Sequence, residues 1–260
     1  MDYTKYYKEL KKEMYIVLKP QGFRKSGSCF RREMENGIVW EVEIQKSQFN
    51  MPSQGWSQFT LNMKAGLFPE PVTPLSWKRN HPQLCGNLGT KADEGWSHQH
   101  WYHVLEPADP RRKDGAWSLI YQEPGKDWQE KRIPCLMPDE IIKEVCGLLI
   151  EKVVPFYQSL QTLDEYLDTL EKAEELGLSS AVSYEDCERY AEIFGKRFLP
   201  CLDKYLGKAV EAARWKESQD MSQYDELLQQ YHKKSVEEHW SRVKFYENLK
   251  ERISEGDQAT

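Results

Sequence analysis

No run of 18 apolar residues occurs in this 260-residue chain, so a membrane-spanning helix is not expected. Its first residues, MDYTKYYKELKKEM, lack the apolar core and small-residue cleavage site of a secretory signal. The expectation is a protein that begins at Met1 and is cytoplasmic. The six cysteines (29, 85, 135, 146, 187 and 201) form no C-x-x-C pair, so reduced thiols are expected rather than a disulfide framework or a zinc ribbon. There is no G-x-S-x-G elbow and no glycine-rich phosphate loop, which removes the familiar signals of nucleophilic and phosphoryl-transfer enzymes.

Proline and glycine are scarce in one part only. One of thirteen prolines and four of fifteen glycines lie after residue 157. Frequent turn residues before that point imply short strands and loops, and their loss implies helices. The charge divides at the same place: 22 basic and 20 acidic residues over 1–157, 14 and 22 over 158–260, for a net −6. An acidic second part excludes nucleic acid as its main partner. What is present, 39% apolar and 12% aromatic residues, is enough for a packed core.

Apolar spacing of three and four predicts a helix over 3–18, stopped by Pro20 and Gly22. Phe30 to Glu33, an Asn36-Gly37 turn, and Ile38 to Ser47 read as a hairpin. Along the second strand Ile38, Trp40, Val42 and Ile44 alternate with Val39, Glu41, Glu43 and Gln45. Phe59 to Gly66 alternates likewise, with Thr60, Asn62 and Lys64 on its polar side. Residues 67–95 read as loop, with further strands near 98–105 and 116–122. Pro138-Asp139-Glu140 opens a helix; capping signals at Thr162–Glu165 and Ser183–Asp186, Pro200, and Ser222–Asp225 open four more. The expected class is α+β: an antiparallel sheet with helices packed on one face over 1–157, then an acidic all-helical region over 158–260, as a bundle or as an extension packed on the first domain.

The stretches LKPQGFRKSGSCFRRE (18–33), EVEIQKSQF (41–49) and FTLNMKAGLFPE (59–70), in that order after an amphipathic helix, resemble the bacterial family catalogued as domain of unknown function 4304. The resemblance covers roughly residues 5–157 and implies helices on one face of an antiparallel sheet. It implies no active site, and the helical part lies outside it.

Residues two apart on a strand share a face, so Gln45, Ser47, Asn62 and Lys64, with Glu41, Glu43 and Thr60, are candidates for a polar groove as against a merely solvated surface. Glu41 and Glu43 have the spacing of paired acid and base carboxylates, but alternating charge is also common on exposed strands. Seven tryptophans fall between residues 40 and 128. Trp40 sits on the apolar strand face, whereas Trp56, Trp77 and Trp96 lie in polar stretches, where partner contact competes with loop anchoring. Arg111-Arg112-Lys113 reads as a solvated turn.

In GWSHQHWYHVL (95–105), His98, His100 and His103 have the histidine spacing of the H-x-H-x-D-H motif of metallo-β-lactamase-like hydrolases. Tyr102 stands where that motif has aspartate, and no histidine follows until 232. On a strand His98 and His100 share a face while His103 points away, so three ligands on one ion would need a distorted segment. His232 and His239 are two helical turns apart, too far to share an ion. The leading expectation is therefore a non-catalytic binding module with no cofactor, for a protein partner, immunity-like for instance, or a small ligand. Its candidate residues are Gln45, Ser47, Asn62, Lys64, Trp56, Trp96, His98, His100 and Trp101. The alternative is a metal-dependent hydrolase using His98 and His100; the helical region is a candidate for oligomerisation.

Overall fold

The computed structural model describes residues 2–48, 50, 56–68, 84–87, 102–105, 116–121, 129–134, 136–180 and 182–255. Helix α1 (Tyr3–Leu18) is capped by Asp2, whose carboxylate accepts the Lys5 amide at 3.1 Å, and it ends in a 3-10 turn at Lys19–Gln21 closed by Gly22 at φ +84°. The strands that follow are β1 (Arg24–Ser26), β2 (Cys29–Glu33), β3 (Ile38–Lys46), β4 (Trp56–Leu67), β5 (Leu84–Asn87) and β6 (Tyr102–Leu105). Strands β7 (Ala116–Tyr121) and β8 (Gln129–Pro134) form a separate two-stranded ladder. Then come α2 (Pro138–Leu148), a π-helical stretch at Leu149–Val153, α3 (Val154–Gln158), α4 (Leu163–Glu171) and β9 (Ser179–Ser180).

The main sheet runs β1-β2-β3-β4-β5-β9 with β6 paired to the other end of β4, and every described pairing in it is antiparallel. Its β2–β3 hairpin turns at Met34–Gly37, where the Met34 amide donates to the Ile38 carbonyl at 2.9 Å and Gly37 adopts φ +84°. Register follows from this turn: Glu33 faces Val39, Arg31 faces Glu41 and Cys29 faces Glu43. On β4, Lys64 faces Glu41, Asn62 faces Glu43 and Thr60 faces Gln45.

One face is mainly apolar, with Arg32, Lys46 and Ser57 toward its margins. Phe30, Trp40, Val42, Ile44, Phe59, Leu61, Met63, Tyr102 and Val104 are all buried there. Helix α1 lies on it: Tyr7 meets Phe59 edge-on at 5.7 Å, and Tyr15 stacks on Phe30 at 6.3 Å. Tyr157 of α3 stacks on Trp40 at 5.0 Å. Its hydroxyl donates toward the Glu41 carbonyl at 2.6 Å and the Lys64 carbonyl at 3.0 Å, and accepts the Lys64 amide at 3.3 Å, so it is satisfied against the backbone ladder. The α+β class and the helices on one sheet face are as expected.

Burying phenols has a consequence at high pH. Burial raises the Tyr7 hydroxyl to about 12 and holds Tyr6, Tyr102 and Tyr157 well above the ordinary tyrosine value; the Glu144 carboxylate beside Tyr102 adds to its rise. The native state thus holds these protons more tightly than the unfolded chain. Their contribution is intact below about pH 10 and is lost as pH rises through 12, each group costing about 1.4 kcal/mol per pH unit in that window. Tyrosinate absorbance and circular dichroism followed together are expected to show these four phenols ionising with unfolding. Full ionisation near pH 10 with the fold intact would disprove this.

Some boundaries differ from the sequence reading. The stretch 67–95, read as loop, contains β5; four residues with one glycine and no alternation give no periodic signal, and pairing with β4 decides the structure. Of the strand expected over 98–105, Tyr102–Leu105 is observed and the rest lies outside the described residues. The last helix begins at Glu226, with Asp225 rather than Ser222 accepting the Leu228 amide at 2.9 Å.

Contacts group the chain into two compact units, 1–181 and 182–260. Composition changes near 157, yet α4 and β9 fall in the first unit. β9 pairs with β5, and the Asn36 side-chain amide donates to the Gln161 carbonyl at 2.8 Å. The second unit holds α5 (Tyr184–Phe194), a 3-10 turn at Gly195–Phe198, α6 (Leu199–Glu217) and α7 (Glu226–Glu255). The capping boxes expected at Thr162 and Ser183 are both present, and helices follow the sheet as expected. Helices α6 and α7 form an antiparallel hairpin: Lys250 meets Asp203 at 2.6 Å near one end, and the His232 ring meets the Lys216 carbonyl at 2.8 Å near the other.

Candidate functional site

The opposite face of the sheet carries a strip of polar side chains whose order follows from register. Across β2, β3, β4 and β5 one row reads Arg31, Glu41, Lys64, Cys85, and across β2, β3 and β4 the next reads Cys29, Glu43, Asn62. Gln45 and Thr60 form the row after that.

Glu41 is the centre of the first row and is only 1% exposed. Its Oε2 accepts from Arg31 Nη2 at 2.7 Å and Nε at 3.1 Å, and its Oε1 accepts from Lys64 Nζ at 3.4 Å. Lys64 also reaches Glu43 at 2.5 Å. Two cations and two carboxylates thereby neutralise one another, which a carboxylate taken out of water requires. Burial pulls the Lys64 ammonium down, but the Glu43 hydrogen bond and the charges of Glu43 and Glu41 outweigh it and leave the group above its ordinary value. Beside the row, burial and the same carboxylates push the Cys29 thiol up to about 11, and burial also raises Cys85. Neither is an activated nucleophile, since that requires a lowered thiol pKa.

Farther along, the Asn62 side-chain amide donates to Gln45 Oε1 at 2.6 Å. The Gln58 amide donates to Ser47 Oγ at 3.0 Å, while Asn50 grips the Gln58 backbone through both its side-chain groups at 2.7 and 3.0 Å. Exposure is graded: Glu41 and Thr60 are buried, Asn62, Lys64 and Ser47 are half-buried, and Gln45 is exposed. A merely solvated face, one of the two readings of this surface, does not describe the Glu41 end. Thr60 Oγ1 is buried without a hydrogen-bond partner among the described residues.

Gln45, Ser47, Asn62 and Lys64, expected to share a face, do so. Trp56 begins β4, and its side chain lies outside the described residues, as do Trp96, His98, His100 and Trp101 altogether. Among the described residues no group of three or more metal-binding side chains comes together. His232 and His239 are each bound to a helix carbonyl, of Lys216 at 2.8 Å and of Ser235 at 2.7 Å. Arg31 was missed by sequence reading. Counting back from the Asn36-Gly37 turn places it opposite Glu41, and that count was the available signal. Glu41 and Glu43, considered as an acid and base pair, are both tied to cations.

No helix among the described residues is long and apolar enough to cross a membrane. No curated protein matches this chain, and no solved structure does. Residues 16–112 match a family model described as Domain of unknown function (DUF4304), a span that contains all three stretches on which the resemblance rests. The match runs from the end of α1 through strands β1 to β6, and the helical region after it has no family match.

Proposed function

We propose that the chain is a non-catalytic, cytoplasmic binding module of a bacterial cell, and that it recognises a protein partner through the polar sheet face. One observation carries this reading. The Gln45–Asn62 hydrogen bond uses one oxygen and one amide group, leaving Gln45 Nε2 as a donor and Asn62 Oδ1 as an acceptor with no partner among the described residues. A donor beside an acceptor is complementary to a peptide or carboxamide group, and the rigid strands beneath hold the pair in place, which lowers the ordering cost of binding. The neutralised cluster of Arg31, Glu41, Lys64 and Glu43 supports the same reading, because it carries no net charge that would favour an anion or cation.

A double variant Gln45→Ala, Asn62→Ala tests it. Proteins retained by the immobilised wild-type chain from a bacterial lysate are identified, and the purified partner is titrated by calorimetry. The variant is expected to melt like the wild type and to bind at least about tenfold more weakly, the loss of one to two hydrogen bonds at an interface. Unchanged affinity would remove the face from the binding site.

A further inference from the structure

Thr60 lies directly opposite Gln45 on the polar sheet face, yet the two side chains do not bond to each other. Gln45 reaches diagonally to Asn62, and Gln58, two residues back along β4, is turned to Ser47. Threonine is shorter than these three amides, so Thr60 stands lower on the sheet than the groups around it. Its side chain is fully buried, and its Oγ1 has no hydrogen-bond partner among the described residues. A hydroxyl kept from water without a partner destabilises the free protein, and a ligand that supplies the partner removes that cost.

We infer that Thr60 is a specificity-determining residue of this surface, and that the partner presents to it the primary carboxamide of an Asn or Gln side chain. The inference rests on the binding reading of the Gln45–Asn62 pair and adds the chemistry that this pair selects. With Thr60 the site offers the Gln45 Nε2 donor, the Asn62 Oδ1 acceptor, and a hydroxyl that also accepts. A primary carboxamide answers all three: its oxygen takes the Gln45 donor, and its two N–H groups reach Asn62 and Thr60. Spacing agrees. The two N–H directions diverge, so acceptors at hydrogen-bond distance from one nitrogen lie about 5 Å apart. Residues 60 and 62 share a face with their Cα atoms about 6.8 Å apart, which leaning side chains can close to that separation. A peptide group has one N–H and leaves one acceptor unmet, and a carboxylate has none. A site built for the missing hydrogen bond rejects both. Access runs past Gln45, which is exposed; a turn about its side-chain bonds uncovers Thr60 and keeps the amide at the rim.

Nuclear magnetic resonance titration of the full chain with N-acetylasparagine N-methylamide tests this. The control is N-acetylalanine N-methylamide, which has the same peptide groups and no primary carboxamide. The side-chain amide signals of Gln45 and Asn62 are expected to shift and saturate with the first compound, and to respond at least about tenfold more weakly to the second. Thr60→Val is expected to lower the affinity for the first compound about tenfold while leaving the melting temperature equal or higher, because it removes a buried hydroxyl that lacks a partner. A purely structural role for Thr60 would instead lower the melting temperature. Thr60→Ser keeps the hydroxyl and is expected to bind within about threefold of the wild type. The absence of a saturable shift in the wild type, an equal response to the two compounds, or unchanged affinity in Thr60→Val each overturns the inference. The binding reading beneath it fails separately, through unchanged partner affinity in the Gln45→Ala, Asn62→Ala variant.

Discussion

Gly37→Ala is expected to destabilise the sheet unit by about 3 kcal/mol, lowering its melting temperature by roughly 6–12 °C for a unit of this size. Two effects add. At φ +84° any residue with a Cβ is strained, by about 1–2 kcal/mol. At this site the new Cβ would also stand 2.5 Å from the Phe68 carbonyl oxygen, which is backbone and has little freedom to give way. That carbonyl is held close because the Phe68 amide donates to the Gly37 carbonyl at 2.8 Å, and Phe68 packs with Val39 in a buried cluster. Relief would therefore require the end of β4 to move away from the hairpin. Gly27 provides the comparison: its φ is +62°, and a Cβ there meets nothing within 4 Å. Gly27→Ala should cost only the strain, about 1 kcal/mol. Equal losses in the two variants, by thermal or denaturant melts, would refute the steric account.

The hairpin also marks how far sequence alone reaches. Asn36-Gly37 between alternating strands fixes the turn, the turn fixes the β2–β3 register, and alternation puts Glu41 with Gln45 on one face of β3 and Asn62 with Lys64 on one face of β4. All of that follows from local chemistry with a period of two. Helix starts were equally readable, because a capping side chain and its backbone partner lie three residues apart. The strand β5 was not, since four residues have too little pattern to outweigh four prolines in the surrounding stretch, and only its neighbour β4 makes it a strand. The assignment of α4 and β9 to the first unit was hidden for the same reason. It depends on contacts such as Asn36 with Gln161, 125 residues apart. The burial of Glu41 was likewise invisible, because alternation distinguishes two faces and says nothing of how much of the polar face is covered.

Removing the Glu41 carboxylate should cost about 3 kcal/mol, at the low end for breaking a buried ion pair. The low end applies because the Arg31 and Lys64 side chains keep 22% of their surface and can turn partly toward water. In Glu41→Ala both cations lose the oxygens that now lie 2.7 and 3.4 Å away, and Lys64 retains Glu43. Arg31 loses two hydrogen bonds to this carboxylate and Lys64 loses one. A second substitution, Arg31→Met, should accordingly recover part of the loss on the Glu41→Ala background while being destabilising on the wild-type one. A double-mutant cycle by denaturant melts measures this coupling, expected at about 1–2 kcal/mol. Additive losses would mean that Arg31 and Glu41 act independently. The same cycle separates stability from recognition. Glu41 lies in the row next to Asn62 on the same face, so under the proposed binding reading its loss is expected to lower melting temperature and partner affinity together, whereas the amide variants lower affinity alone.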